Sequence, residues 1–320
     1  MDNYIIRRIF GSFLVFLTAS LLIFTLVRLS PGDPVDVLYG PTRFGESQSG
    51  ISPEAKEAIR HDLGLDRSFI IQYGIWLQRA GHLDFGLSFR TRRPVTEELF
   101  HRLPATIYLA LLAFAIEIIT AIPLGLLSAL YANRPWDHII RMGAVVLRAL
   151  PPFWIGLMAL FVFAVKLQWI AVVGDASLRQ IILPALILGL LAAPRIMRIL
   201  RAGMLQELSS LYYVFGRIKG LSCHRLILYH AFRNGLLPVV TLLGMSLGSL
   251  LSGSIIIETI FSWPGIGKYL VESIASRDYP VIQAYVMLTT FGVIFINLLV
   301  DISYSFLDPR VRLGEQNGKR

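Results

Sequence analysis

The sequence contains few of the residues from which soluble enzymes build their sites. Only 16% of the 320 residues are charged, whereas soluble domains contain roughly a quarter. A single cysteine, Cys223, excludes an intramolecular disulfide. The six histidines form no His-x-x-His or Glu-x-x-His pair, and His224 and His230 stand beside basic residues. We therefore expect no metal site built by this chain.

Motifs for phosphate binding and for nucleophilic catalysis are also missing. The nearest match to a phosphate loop, PGIGKY at 264–269, lacks the required glycine spacing and has no Ser or Thr after Lys268. The serines of the fifth apolar run have no histidine at membrane depth that could activate them. The sequence thus predicts neither an enzyme nor a cofactor bound by this chain.

Long apolar runs are the dominant feature that is present. Residues 9–27 contain no charge over nineteen positions, which is enough for a helix that crosses a bilayer. A cleaved signal peptide is the alternative, but the run is long and no Ala-x-Ala-like site precedes Ser30. Five similar runs follow. We predict an all-α membrane protein with six transmembrane helices at approximately 9–27, 104–130, 149–168, 181–203, 236–257 and 282–306.

The distribution of basic residues predicts the orientation. If the amino terminus is cytoplasmic, the inside segments hold fifteen Lys and Arg residues and the two short outside loops hold three. The segment 30–103 is also outside, but segments longer than about sixty residues translocate largely regardless of charge. Both termini are therefore predicted to be cytoplasmic. This topology, rather than nucleic-acid binding, accounts for most of the net charge of +9.

The same pattern divides the chain into parts. Residues 1–29 hold the amino terminus and the first span, and 30–103 form an extracytoplasmic segment. Residues 104–306 hold the other five spans and include a cytoplasmic loop at 204–235. Residues 307–320 form a cytoplasmic tail.

The extracytoplasmic segment is predicted to be helical rather than disordered. A short helix is expected over 53–64, and the pattern of 69–86 places Tyr73, Trp76 and Leu77 on one face. We expect one or two external helices that lie on the transmembrane bundle. A solvated loop with an incidental pattern is the alternative.

Several charged residues fall within or next to the spans. Glu117 lies at the middle of the second span, where a carboxylate must face the bundle interior, a partner or water. We expect it to form a hydrogen bond with another helix, and a role in lining a polar path is the alternative. Glu258 stands near a span end, where interfacial water lowers the cost of its charge. Arg195, Arg198 and Arg201 share a helix face and are expected to reach lipid headgroups.

Small residues mark the fifth span. Gly244, Gly248 and Ser252 stand at intervals of four, a spacing that lets helix backbones approach closely. The fifth span is therefore predicted to be central in the bundle. Ser252 and Glu117 are the candidate residues of a translocation path.

Residues 207–233 are too polar to span a membrane and too regular to be a plain loop. A first apolar stripe ends at Gly220, and a second begins after Ser222, which is predicted to cap the second helix. The first stripe contains Leu211, Val214, Phe215, Ile218 and Leu221, and the second contains Leu226, Ile227, His230 and Ala231. The pattern predicts a helix–turn–helix at the cytoplasmic surface that a soluble partner could grip. A helix on the membrane surface is the alternative.

These residues carry a resemblance to a known family. The hairpin contains KGLS at 219–222 and RNGLLP at 233–238, and further motifs are RLPAT at 102–106, WPGIGKY at 263–269 and LDPRVR at 307–312. In these motifs, and nearly end to end, the chain resembles the permease subunits of ABC importers in the dipeptide/oligopeptide/nickel branch. The resemblance implies the type I permease fold with six transmembrane helices.

The resemblance also implies the partners and the site. A second, similar permease subunit, two ABC ATPase subunits and an extracytoplasmic solute-binding protein would complete the transporter in the bacterial inner membrane. ATP and Mg would be bound by the ATPase subunits, not by this chain. The loop 204–235 would be the coupling loop, although its core carries no acidic residue. The residues implied in ATPase coupling are Tyr213, Val214, Phe215, Gly216, Arg217, Ile218, Lys219, Gly220 and Leu221.

The solute is predicted from smaller features. The connection at 169–180 is short, and together with LQW at 167–169 and RDYPVIQ at 277–283 it looks more like that of nickel or metal-chelate permeases. Di- or oligopeptides are the alternative solutes. A channel that works without ATPases is a remote alternative, because the spans offer few polar positions for a selectivity-lining ring.

Overall fold

The computed structural model describes residues 2–29, 66–169 and 178–307, together with the isolated positions 54, 57 and 58. Within these residues the regular structure is helical, and the only strand-like feature is a single bridge between Leu87 and Pro94. The helix predicted over 53–64, most of the short connection at 169–180 and the carboxyl-terminal tail lie outside the described residues.

The helices follow the predicted apolar runs closely. Their bounds are α1 (Asp2–Leu29), α2 (Phe69–Gly81), α3 (Val95–Leu130), α4 (Pro135–Ala149), α5 (Pro152–Lys166), α6 (Leu178–Leu208), α7 (Leu211–Ile218), α8 (residues 223–235), α9 (Leu237–Ile260), α10 (Ile266–Ala275) and α11 (Tyr279–Leu307). The stretch Phe161–Lys166 of α5 and the stretch Leu226–Ala231 of α8 are π-helical.

Five of these helices, α1, α3, α6, α9 and α11, are long and apolar enough to cross a membrane. A sixth span results if α4 and α5 are counted as one broken helix, which is bent by 98°. The bend has a local cause, because Pro151 and Pro152 follow directly and proline cannot continue a preceding helix. The prediction of six spans is confirmed on this count, in which the bent pair α4–α5 supplies the third span.

The described helices form two compact units. One of them contains Asp2–Leu103 and Tyr269–Ile294. Within this unit the external helix α2 packs on the first span through Phe24, whose ring centroid lies 5.5 Å from those of both Tyr73 and Trp76. The hydroxyls of Ser20 and Tyr73 are 2.7 Å apart. Tyr73 and Trp76, on the aromatic face predicted for this segment, therefore contact the first span.

A buried carboxylate organises the rest of this unit. Asp278, the residue before α11, accepts a hydrogen bond from Ser88 Oγ at 2.5 Å and others from the backbone N–H groups of Phe89 at 3.0 Å and Arg90 at 3.3 Å. Its own carbonyl accepts the Ile282 N–H. The Asp278 side chain thus fixes a turn about 190 residues earlier, while its backbone carbonyl takes part in the first turn of the last span.

The second unit contains Pro104–Lys268 and the chain from Phe295 onwards. Its centre is α6, which packs along α9 through two groups of buried aliphatic residues. One of the small residues of the fifth span, Gly244, allows close packing on α11, because a Cβ atom there would collide with the side chain of Val300. The fifth span packs closely as predicted, but the central helix of this unit is α6, the fourth span.

Glu258 connects three elements at the end of α9. The prediction that interfacial water solvates it is wrong, because the residue is fully buried. Its carboxylate accepts hydrogen bonds from Thr106 Oγ1 at 2.7 Å and Ser254 Oγ at 2.9 Å, and from the backbone N–H groups of Gly267 at 2.7 Å and Lys268 at 3.0 Å. The PGIGKY segment therefore does hold an anion on its backbone N–H groups, but the anion is a side chain of the same unit.

This arrangement predicts that Gly267→Ala destabilises the protein. The added Cβ would lie 2.8 Å from both Glu258 Oε2 and Ile255 Cα, so that the carboxylate loses its backbone donors or the loop moves. We expect a loss of about 1–3 kcal/mol, typical of overpacking, seen as a lower Tm in detergent. Gly74→Ala in α2, where no atom lies within 4 Å of an added Cβ, is the matched control. A Gly267→Ala variant as stable as this control would contradict the prediction.

Candidate functional site

The predicted cytoplasmic helix–turn–helix is present as α7 and α8. Two residues after α6 the chain enters α7, which ends at Ile218. Gly220 follows with φ +79°, a conformation that favours glycine, and the Leu221 N–H closes the turn on the Gly216 carbonyl at 3.1 Å. Ser222 occupies the predicted cap position, although its side chain makes no capping hydrogen bond.

The two faces of α7 differ sharply. The first apolar stripe is exposed along its whole length, and Leu211 and Ile218 at its two ends are 75% and 74% exposed. The opposite face, with Tyr213 and Gly216, is buried. Helices usually turn their apolar stripe toward the core. Here the stripe faces away from the unit, and the basic side chains of Arg217 and Lys219 beside it are exposed as well.

Close packing holds α7 against α8. A Cβ atom added at Gly216 would lie 2.6 Å from Leu226 Cδ2, so the two helices meet closely at this glycine. The Tyr213 hydroxyl lies 3.4 Å from Cys223 Sγ, within hydrogen-bond distance for sulfur. This contact and burial raise the pKa of Tyr213. The hairpin is therefore a packed body rather than a mobile loop.

Both ends of the hairpin are joined to each other. Glu207, near the end of α6, accepts hydrogen bonds from the Tyr212 hydroxyl at 2.5 Å and from Asn234 Nδ2 at 3.2 Å. Burial and this carboxylate raise the pKa of Tyr212. One turn earlier, the backbones of Gly203 and Gly235 approach so closely that an added Cβ would lie 3.1 Å from the Gly235 carbonyl oxygen. A displacement of the hairpin must therefore move α6 and α8 together.

The second stripe of the hairpin departs from the prediction at one position. Leu226 and Ala231 are buried and Ile227 is half-buried, but His230 is exposed. The cause is the π-helical stretch Leu226–Ala231. A π turn contains more residues than an α turn. Residues three or four positions apart in this stretch therefore do not all lie on one face of the helix.

An ion pair next to the hairpin could not be predicted from the sequence pattern. Arg201 was expected to reach lipid headgroups, and this expectation is wrong. Its Nε and Nη2 atoms lie 2.9 and 2.7 Å from the two oxygens of Asp137, which is fully buried in the first turn of α4. Asp137 also accepts hydrogen bonds from Ser128 Oγ and the Asn133 N–H. Arg195 and Arg198 are exposed, and contact of these two side chains with lipid headgroups stays a prediction.

The two candidate path residues lie in different surroundings. Glu117 is buried, and Ser246 Oγ of α9 donates to its carboxylate at 2.8 and 2.7 Å from the two oxygens, which is the predicted interhelical hydrogen bond. Ser252 lies on the exposed side of α9. The other exposed residues on this side recur at helical spacing and are mostly small or uncharged: Met245, Ser249, Ile256 and Thr259.

Comparisons with known proteins agree with this architecture. Residues 121–313 match the family described as binding-protein-dependent transport system inner membrane component, and residues 1–110 match its amino-terminal counterpart. The chain is 37% identical over 312 residues to the glutathione transport system permease proteins GsiC of Escherichia coli (strain K12) and Shigella dysenteriae serotype 1 (strain Sd197), covering 98% of this chain and 99% of those proteins.

A solved structure resembles the fold. It is the crystal structure of an amino acid ABC transporter with histidines, at a TM-score of 0.52 and 16% sequence identity. The match covers 66% of this chain and 94% of the other. At this identity the likeness concerns the fold alone.

The Asp137–Arg201 pair predicts strong coupling between two substitutions. Asp137→Asn and Arg201→Gln should each lower the Tm markedly, because each leaves a partly buried charge unpaired, at a cost of about 3–5 kcal/mol. The loss of stability in the double variant should be much smaller than the sum of the losses in the two single variants, as measured by a double-mutant cycle in detergent. Arg198→Gln, one turn away and exposed, is the control. Additive effects would contradict the pairing.

Proposed function

The chain belongs to the family of inner membrane components of binding-protein-dependent transport systems, and from this membership we propose a role as the permease subunit that couples ATP hydrolysis to the import of a peptide-type solute. It is a multi-pass permease subunit of an ABC importer and has no catalytic activity of its own. Such subunits work with a second permease, with ATPases and with a binding protein. The more specific part of the proposal, the site of contact with the ATPase, is based on the α7–α8 hairpin.

The hairpin is the surface that meets the ATPase. The observation that supports this assignment is the outward apolar stripe of α7, which ends at Leu211 and Ile218 and is flanked by exposed basic residues. An exposed apolar patch with a polar rim is typical of a protein-protein interface. A helix that lay on the membrane surface would also expose such a stripe, but the family membership favours a protein partner.

The packing of the hairpin explains how a movement would be transmitted. The contact between Gly216 and Leu226 and the bonds of Glu207 join α7, α8 and the end of α6 into one body. A rigid-body shift of that body moves the spans α6 and α9 rather than being absorbed by the loop. ATP-driven closure of the ATPase pair would in this way open the path on the outer side.

The path itself is proposed to run along the exposed side of α9. Ser252 lies there among uncharged side chains, and a weakly binding surface lets a solute leave as readily as it enters. Glu117 makes its hydrogen bond to Ser246 inside the unit, which favours a role in helix packing. In this orientation both termini are cytoplasmic, as the distribution of basic residues predicts.

The solute is proposed to be a short peptide. The relatives named above transport glutathione, which is a tripeptide. The preference for nickel or a metal chelate that the short connection at 169–180 suggested is therefore not supported. The peptide alternative fits the relatives better, and glutathione-like peptides are the first solutes to test.

The coupling assignment predicts that changes in the hairpin separate ATP hydrolysis from transport. Gly220→Pro is incompatible with φ +79°, because proline fixes φ near about −65°. Paired reversal of Arg217 and Lys219 to glutamate, or Phe215→Glu within the stripe, should weaken the interface by about tenfold or more. We expect ATP-dependent uptake in proteoliposomes to fall while ATP hydrolysis by the complex continues.

The control for these variants is Ile274→Glu, an exposed apolar residue on the external helix α10. Co-purification with the ATPases shows whether assembly persists. Uptake at the original rate by the Gly220→Pro and paired-reversal variants would remove the assignment of this hairpin.

The solute assignment predicts saturable uptake of a labelled peptide. Reconstituted complex with its binding protein should import radiolabelled glutathione in an ATP-dependent manner, and unlabelled di- and tripeptides should compete. Nickel alone should neither be imported nor compete. Uptake of radionickel that peptides do not affect would reverse the proposal in favour of the metal.

A further inference from the structure

The helix α4 is used neither by the coupling hairpin nor by the proposed path. It precedes α5, from which it is bent by 98°. Since α5 is an apolar helix that enters the bilayer, a helix at nearly a right angle to it runs close to the membrane plane. The question is what α4 contacts there.

Two arginines of α4 and the arginine at its N-cap position lie along one edge. Arg134, Arg141 and Arg148 are separated by seven residues each, and seven residues make almost two complete turns. All three are exposed. Because they extend from one end of the helix to the other, no stretch of α4 is free of charge over a length that could cross the hydrocarbon.

An exposed apolar stripe lies on the far side of the helix from this arginine edge, which adjoins the buried side. It consists of Trp136, Ile139, Met142 and Val146, of which Trp136 and Met142 are 65% and 67% exposed. The opposite side of the helix, with Asp137 and Ala144, is buried against the unit. The helix thus has a core-facing side, a basic edge and an apolar side that no described residue covers.

We propose that α4 is an in-plane membrane helix whose arginine edge binds the phosphate groups of anionic phospholipids while its apolar stripe enters the acyl-chain boundary. Tryptophan prefers the headgroup level, and basic residues next to a bilayer attract anionic lipid. With the predicted orientation this surface is the inner leaflet. Charge complementarity and the direct continuation into a membrane helix favour lipid over a protein as the occupant.

This surface is connected to the coupling hairpin. Asp137 on the buried side of α4 is held by Arg201 through two hydrogen bonds, and Arg201 lies two turns before the end of α6. The α7–α8 hairpin follows α6 directly. Lipid bound along α4 therefore restrains the same helix that the hairpin moves, so the efficiency of coupling should depend on anionic lipid.

Spin-label depth measurements test the position of α4. Single cysteines from 136 to 148 are introduced in a Cys223→Ser background, labelled, and the assembled complex is placed in nanodiscs of phosphatidylglycerol and phosphatidylcholine. An in-plane helix gives oxygen and nickel-chelate accessibilities that oscillate with the helical period without drift. A depth that changes steadily by about 1.5 Å per residue would overturn the proposal. Labels at 139, 142 and 146 shielded from both reagents would also overturn it, because protein would cover the stripe.

Lipid dependence tests the arginine edge. We choose the double variant Arg134→Gln/Arg148→Gln, because Arg141 also lies 3.8 Å from Asp137. It should retain less phosphatidylglycerol on purification, by about fivefold per arginine, and transport per ATP should no longer rise when phosphatidylglycerol replaces phosphatidylcholine. Arg79→Gln, an exposed arginine of the external helix α2, is the control. Unchanged retention and an unchanged lipid response of the double variant would overturn the proposal.

Discussion

A carboxylate inside a helical bundle is stable only where hydrogen-bond donors surround it, and the architecture of this chain follows from that constraint. Each buried carboxylate among the described residues takes a donor from an element far away in sequence. The donor–carboxylate pairs are Ser88 with Asp278, Thr106 with Glu258, Ser246 with Glu117, and Arg201 with Asp137. Apolar contact between helices allows sliding, whereas these pairs have one geometry. They therefore fix the helix register that van der Waals packing alone leaves open.

The same constraint separates the rigid parts of the molecule from its contact surfaces. Around the hairpin, Asp137 and Glu207 hold α4, α6, α7 and α8 in fixed contact. What remains on the outside of this body is the apolar stripe of α7 and the basic edge of α4. A force applied to either surface acts on α6, because both are tied to it. A permease that converts a movement of a partner into a movement of its spans requires this combination.

Much of the fold could be predicted because a bilayer imposes length and composition on each span. The hairpin turn was also predictable, since Gly220 interrupts a helical stripe where the backbone takes a positive φ. The Asp137–Arg201 pair was not, because no periodicity joins residues 64 positions apart. The burial of Glu258 was not predicted for a related reason. Half of the donors to its carboxylate are backbone N–H groups, and the pattern of side chains in a sequence does not indicate where these groups point. The exposure of His230 depends on a π turn that residue spacing does not reveal.

The path proposed along the exposed side of α9 would limit what this chain contributes to solute choice. Side chains such as Ser249, Ser252 and Thr259 offer single hydroxyl groups, and the carboxylates of Glu117 and Glu258 are already occupied by internal donors. A surface of this kind makes weak contacts with many solutes and strong contacts with none. Such a path favours rapid passage, since a tightly held solute would not be released. On this proposal, discrimination between solutes occurs before entry, and a binding protein is the component of such transport systems suited to it.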